Sequence, residues 1–322
     1  MPRALSAALL AVAMLLTACG GDDPDPKAAP SAPAGDAALP AVTDAAAGAP
    51  PTVAKPAGTP PAKLTTKVIK EGDGPAAGKG DLVVMNYVGQ VWTADKPFAT
   101  SFGPGQVPVA IPVGAGQTFA GLDTGLLGKK VGSRVLLALP PDQGFGPQGN
   151  ERAGIKGTDT ILFVVDVLAR YAGKESAKGP AQTGKPGLPT VSGAAGQKPT
   201  VKVPATAPPA TLVTETLIQG TGPAVRKGQL LVAQYVGVIW KGGKQFDASW
   251  DRGAPASFPI GVGQVIKGWD AALVGVKAGS RVLLSVPPAQ GYGAKGQEQA
   301  GIKGTDTLVF VVDVLGSHGG AA

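Results

Sequence analysis

The sequence predicts an α+β protein in which one antiparallel sheet, with a single short helix laid on it, occurs twice. Three observations predict this. The first is an internal repeat: GSRVLL at Gly132–Leu137 and Gly279–Leu284, AGIKGTDT at Ala153–Thr160 and Ala300–Thr307, and FVVDVL at Phe163–Leu168 and Phe310–Leu315, each pair 147 positions apart. The second is that each copy consists mainly of β-rich runs stopped by turn residues. The third is that only Leu122–Gly128 and Trp269–Gly275 suggest helix, and each ends on a Gly suited to a helix C-terminus.

The period is far too long for a solenoid, so the copies are whole domains, over 63–170 and 211–316. In each, the long strand comes early: DLVVMNYVGQVW (Asp81–Trp92) and LLVAQYVGVIW (Leu230–Trp240). Shorter strands follow at SRVLLSVPP (Ser280–Pro288) and TLVFVVDVL (Thr307–Leu315), stopped by Pro or Gly. Tyr87 and Tyr235 are 148 apart, so the first copy carries one extra residue around 103–115. The segment GDGPAAGKG (Gly72–Gly80) has a faint phosphate-loop look, but it misses that spacing, lacks the following Ser/Thr and precedes a strand; it reads as a bend.

Outside the repeats, residues 1–18 carry Arg3 and an apolar run from Ala4 to Leu16, the plan of a secretory signal and too short to span a bilayer as a helix. Leu16-Thr17-Ala18-Cys19 resembles the lipobox of bacterial lipoproteins, which implies lipidation of Cys19 and an extracytoplasmic protein held to the cell membrane by that anchor. Residues 19–62 are Ala, Pro and Gly-rich and read as a disordered spacer. Residues 171–210 read as a second, semi-extended linker without its own core, and 317–322 as a tail in which His318 is solvated.

Composition narrows the chemistry. The net charge is +7, but no basic run exceeds a doublet and none is interleaved with aromatics, which argues against nucleic acid. One Cys and one His leave no Cys/His metal cluster, no internal disulfide and no credible Ser–His or Cys–His pair. No cofactor is called for. What stands out is Lys244–Phe310, which gathers Phe246, Trp269, Tyr292 and Phe310 in a chain only 5% aromatic, with Val265, Ile266 and Ile302 between them and Asp247 and Arg252 nearby. Any one of these aromatics alone reads as core; together they suggest an apolar hollow with a few polar groups.

The second copy resembles the FKBP-type peptidyl-prolyl cis–trans isomerases over its whole length: GTGPAVRKGQ, the strand bearing Tyr235, KQFDASWDR, QVIKGWDAAL, GYGAKG and TLVFVVDVL follow in order. The resemblance implies a half-barrel sheet wrapping a short helix, with a hollow lined by Tyr235, Phe246, Asp247, Arg252, Val265, Ile266, Trp269, Tyr292, Ile302 and Phe310. It further implies Trp269 as the floor at the start of the helix, and a backbone N–H from Ile266 and a hydroxyl from Tyr292 for the carbonyls of a bound peptide. Asp247, beside Arg252 and Tyr235, is expected to brace the wall by charge-assisted hydrogen bonds rather than to transfer protons. The implied partners are proline-containing polypeptides, with macrolides as a second ligand class.

This copy departs from the family at Ala256, where an aromatic is usual, and in its polar loop after Tyr292. The first copy departs further. It keeps Tyr87, Phe98, Ile155 and Phe163, and Phe119 also falls in its pocket, but it has Ala99 for the Asp, no Arg in SFGPGQVP, Leu122 for the floor Trp and Phe145 for the Tyr. The expectation is a prolyl isomerase acting on exported polypeptides mainly through the second domain, the first being a poor isomerase. The alternative is a non-catalytic polypeptide-binding chaperone or adaptor.

Overall fold

The computed structural model describes residues 39–43, 49–103 and 105–320. Residues 1–18, read above as a signal, Cys19 and the first part of the expected spacer lie outside the described residues. The chain forms β1 (Val42–Thr43), β2 (Thr52–Val53), β3 (Thr65–Lys70), β4 (Leu82–Val91), β5 (Pro97–Thr100), β6 (Val109–Pro112), α1 (Ala120–Gly125), β7 (Arg134–Leu139) and β8 (Ile161–Tyr171). The second half repeats the series as β9 (Thr190–Ser192), β10 (Thr200–Lys202), β11 (Val213–Ile218), β12 (Leu230–Ile239), β13 (Gln245–Ala248), β14 (Ala256–Pro259), α2 (Lys267–Leu273), β15 (Arg281–Val286) and β16 (Leu308–His318). Each half holds one six-stranded antiparallel sheet, in the order β3-β7-β8-β4-β5 and β11-β15-β16-β12-β13, with β6 and β14 continuing the last edge along β4 and β12. The half-barrel α+β architecture is therefore present twice.

The long strand organises each half. In β12, Leu231, Ala233, Tyr235 and Ile239 point into the core beneath α2, while Val236, Val238 and the following Trp240 point to the other face. The whole strand is buried. An antiparallel sheet with one wet face would alternate apolar and polar residues. This one is apolar on both sides, so something must cover its back.

The covers are the segments that composition marked as unstructured, which corrects both readings. Residues 190–202 of the linker form the β9–β10 hairpin, and Leu188, Val191, Val201 and Val203 pack on Val236, Val238, Trp240, Leu283, Val309 and Val311. In the spacer, β1 pairs with β2, and Leu39, Val42 and Val53 cover Val88, Trp92, Leu136 and Leu162 in the same way. Each hairpin strap is tied by an indole: Trp92 Nε1 donates to the Gly58 carbonyl (3.2 Å) and Trp240 Nε1 to the Thr206 carbonyl (2.9 Å). The duplicated unit is therefore longer than the sheet, beginning near Leu39 and Leu188.

The helices start two residues before their expected positions, so Trp269 is the third residue of α2 rather than its first. Gly128 and Gly275 fall beyond the helix ends, at φ +72° and +90°, the left-handed turn that glycine accommodates. The extra residue of the first half lies between Thr100 and Val109, since Thr100 pairs with Val88 as Ala248 does with Val236, and Ile111 with Val83 as Phe258 does with Leu231.

The two halves meet through equivalent edges. Leu82, Val84, Ala169 and Tyr171 of the first pack with Leu230, Val232 and Leu315 of the second. Tyr171 and His318 each end the last strand of their half, opposite Leu82 and Leu230, and they share a 2.6 Å hydrogen bond between the hydroxyl and Nε2. His318 is thus a half-buried interface residue and not part of a solvated tail. Burial lowers its pKa below 6.5 and raises that of Tyr171.

Candidate active site: an aromatic hollow in the second domain

Three elements bring the second-domain residues together. Strand β12 contributes Tyr235, and β16 contributes Phe310 from the neighbouring strand. Gly237 lies between them because a Cβ there would sit 2.5 Å from Phe246 and 3.1 Å from Phe310; its absence lets both rings lie on the strand. Helix α2 presents Trp269 from its first turn. Asp270, next in sequence, accepts from the Gly261 (2.6 Å) and Gly263 (2.7 Å) backbone N–H groups and so pins the loop that carries Val265 and Ile266.

The result is a cavity of about 430 Å³ lined by Tyr235, Phe246, Asp247, Phe258, Gln264, Val265, Ile266, Trp269, Tyr292 and Phe310. Trp269 is 4% exposed and Tyr292 40%, which places one deep and the other at the mouth. The rings stand edge to face: Trp269 meets Phe258 at 5.1 Å, Phe310 at 5.3 Å and Tyr235 at 5.4 Å between centroids, at interplanar angles of 78°, 81° and 88°. Phe246 stands at 87° to Phe310. Edge-to-face packing fixes the walls of the hollow. The indole N–H of Trp269 is buried and finds no acceptor among the described residues.

One wall is polar. Arg252 donates from one terminal nitrogen to Asp247 Oδ1 (2.6 Å) and from the other to the Tyr235 hydroxyl (2.8 Å), while that hydroxyl donates to Asp247 Oδ2. Burial, then the Asp247 bond, pushes the Tyr235 pKa up to about 12, against the opposing pull of Arg252. Asp247 is fully engaged in this bracing. At the mouth, burial and then the Asp247 charge raise the Tyr292 pKa, so its hydroxyl stays a donor at neutral pH.

Of the residues expected to line the hollow, Arg252 stands behind the wall and Ile302 is buried in the core cluster; neither is among the lining side chains. Phe258 and Gln264 were not expected there. Phe258 was legible: two positions after Ala256 on a strand, it shares that residue's face, opposite inward-pointing Leu231.

In the first domain the seven expected residues also converge on one cluster. Leu122, Ile155 and Phe163 are buried in the core, with Tyr87, Phe98, Phe119 and Phe145 packed against it. Phe119 lies 4.6 Å from Phe145 and 6.2 Å from Phe163, and Phe98 lies 6.1 Å from both. A phenyl ring thus stands at the position that Ile266 holds in the second domain.

Residues 74–168 and 222–315 match the family of FKBP-type peptidyl-prolyl cis-trans isomerases. The chain belongs to this family. A stretch of about one domain's length matches nearly the whole of two bacterial relatives. The chain is 42% identical over 119 residues to the "FK506-binding protein" of Streptomyces anulatus, covering 37% of this chain and 96% of that protein. It is 40% identical over 104 residues to the "FK506-binding protein" of Neisseria meningitidis, covering 32% and 94%. Among solved structures it is similar to that of AtFKBP13, at 38% identity and a TM-score of 0.31, covering 34% of this chain and 94% of that one. The isomerase has its aromatic cavity in the second FKBP domain and the phenylalanine cluster in the first.

Proposed function

We propose that the second FKBP domain carries the turnover and that its substrates are X–Pro bonds of exported polypeptides. The observation that supports this is the 430 Å³ hollow over Trp269 with its wall braced by Asp247 and Arg252, where the first domain has Leu122 and Ala99.

Rotation about an X–Pro bond is opposed by amide resonance, with a barrier of about 18–20 kcal/mol. At the twisted transition state the resonance is lost and the carbonyl oxygen carries less charge, so it needs less solvation than the planar amide. A dry box of ring faces therefore favours the twisted form, which is differential binding of the transition state. Proline enters such a box without stranding an N–H. In this reading Trp269 is the floor, Phe246, Phe258 and Phe310 the sides, and Val265 and Ile266 the lip. The Ile266 N–H and the Tyr292 hydroxyl hold the peptide carbonyls, while Asp247 and Arg252 keep Tyr235 in place. Nothing here forms or breaks a covalent bond, and each tenfold in rate takes only about 1.4 kcal/mol of preference.

Two further parts rest on the sequence. Cys19, after its apolar run, anchors the chain by lipid to the outside of the cell membrane; Cys19→Ser should release it to the soluble fraction. FK506, named for the relatives, would compete for the same hollow, with Ala256 giving it less wall to rest on. The deciding experiment measures proline-peptide isomerisation by the full chain and its Trp269→Leu and Leu122→Ala variants. Loss with the first and retention with the second supports the assignment. Equal retention in both overturns it and leaves a polypeptide-binding role.

A further inference from the structure

The residues that brace the active-site wall are themselves held by the chain that leaves the first domain. Arg252 ends the 3-10 turn Ser249–Arg252, and this turn decides where its guanidinium sits relative to Asp247 and Tyr235. Ser249 is fully buried. Its hydroxyl accepts the Tyr235 backbone N–H (2.8 Å) and donates to Gln234 Oε1 (2.5 Å). Gln234 is equally buried, and its Nε2 donates to the carbonyl of Gly173, two residues past the end of β8 (2.8 Å). Gly173 also touches the turn directly: a Cβ there would lie 2.2 Å from the carbonyl oxygen of Gly253, the residue after Arg252.

A second tie comes from the hairpin strap. Lys198, just before β10, binds Asp251 Oδ1 (2.8 Å), while Gln245 binds Oδ2 (2.8 Å), so the residue before Arg252 is held as well. These contacts line an interdomain cleft of about 640 Å³, bounded on the other side by Lys79 and Gly80. Among the described residues, the first domain shows the inner half of this arrangement. Ser101 takes the Tyr87 N–H and donates to Asn86, a side chain one methylene shorter than Gln234.

We propose that Gly173 and Lys198 are positioning residues of the second-domain site. The segment between the domains sets the turn that delivers Arg252 to Asp247 and Tyr235, and so ties turnover in the second domain to the seating of the first. This rests on the assignment of turnover to the second domain.

The test uses the full chain and a proline-peptide assay. Gly173→Ala, which lies outside the second sheet, should lower kcat/KM about tenfold by displacing the Gly253 carbonyl. Lys198→Met, an exposed tie, should lower it about two- to threefold. Arg252→Ala supplies the readout that a merely structural role would not move. If the segment acts through Arg252, neither change should lower activity further in an Arg252→Ala background, a coupling that a double-mutant cycle measures. Unchanged kcat/KM in both single variants, or losses as large with Arg252 absent as present, would overturn the proposal. Should Gly173→Ala not fold, Lys198→Met decides alone. The Trp269→Leu control separates the two readings. If it leaves turnover intact, the assignment to the second domain fails; if it abolishes turnover while the cycle is additive, only the positioning role fails.

Discussion

The two halves share strand order, register, helix position, back-face strap and tethering tryptophan, yet the side chains at the helix differ: rings stand edge to face on Trp269 in the second, and phenylalanines gather beside Leu122 in the first. What separates them is a handful of side chains. A large flat ring at Trp269 forms a floor that other rings can stand on, edge to face. At the matching position Leu122 offers no such face, and Phe119 lies beside Phe145 and Phe163. The comparison teaches that a duplicated scaffold can exchange the side chains around its helix while every strand keeps its partner.

That comparison can be broken or sharpened. The largest effect tests the sameness. A second domain cut at 211–316 should be less stable than one cut at 188–318 by on the order of 3 kcal/mol, because Val236, Val238 and Trp240 lose their cover. Thermal unfolding should show a midpoint lower by roughly 10–20 °C. Matching midpoints would mean that the strap contributes nothing.

Next comes the difference. Trp269→Leu installs the first domain's floor in the second and should cut kcat/KM about 100-fold, close to 2.7 kcal/mol of transition-state preference. A loss under threefold would show that the floor is not what distinguishes the halves. Asp247→Ala, which copies Ala99, should cost about fivefold in kcat/KM. It should also bring the Tyr235 pKa down from about 12, since the Asp247 bond is one of the causes that raise it; ultraviolet titration of the phenol reads this.

The smallest effect concerns the seam. The folded imidazole of His318 has a pKa below 6.5, so the unfolded chain takes up its proton first. This contribution is fully present above about pH 6.5 and is lost as pH falls from there through the depressed folded value. The groups at the seam are Tyr171 and, beside it, Glu175. Wild type minus His318→Asn should lose about 1 kcal/mol or less between pH 7 and 5 in denaturant titrations. A flat difference would remove His318 from the seam's energetics.

Much of this was legible in the sequence, and the misses have physical causes. Exact blocks such as GSRVLL gave the duplication, and alternation with turn residues gave the strands. The straps were missed because Ala, Pro and Gly dominate 39–62 and 171–210, and such composition ordinarily cannot offset chain entropy. Two signals could have found them. LPAVT at 39–43 recurs as LPTVS at 188–192, and PTV at 51–53 recurs at 199–201, so the repeat extends upstream of the sheets. Val236, Val238 and Trp240 also form an apolar stripe that one helix cannot cover. The bracing of Tyr235 by Asp247 and Arg252 followed from charge and proximity. The tie from Gly173 did not, because it needs a carbonyl 61 residues away brought to Gln234 by the fold.

The join at Tyr171 and His318 has a last implication. Leu82 and Val84 cluster with Leu230 and Val232, their own counterparts, which is how identical subunits meet in a self-complementary pair. One polypeptide here supplies both partners, and the tether keeps them at high effective concentration. The patch that would recruit another molecule of the same kind is already occupied from within, so the protein is in effect a dimer whose second subunit can change its pocket without changing its company.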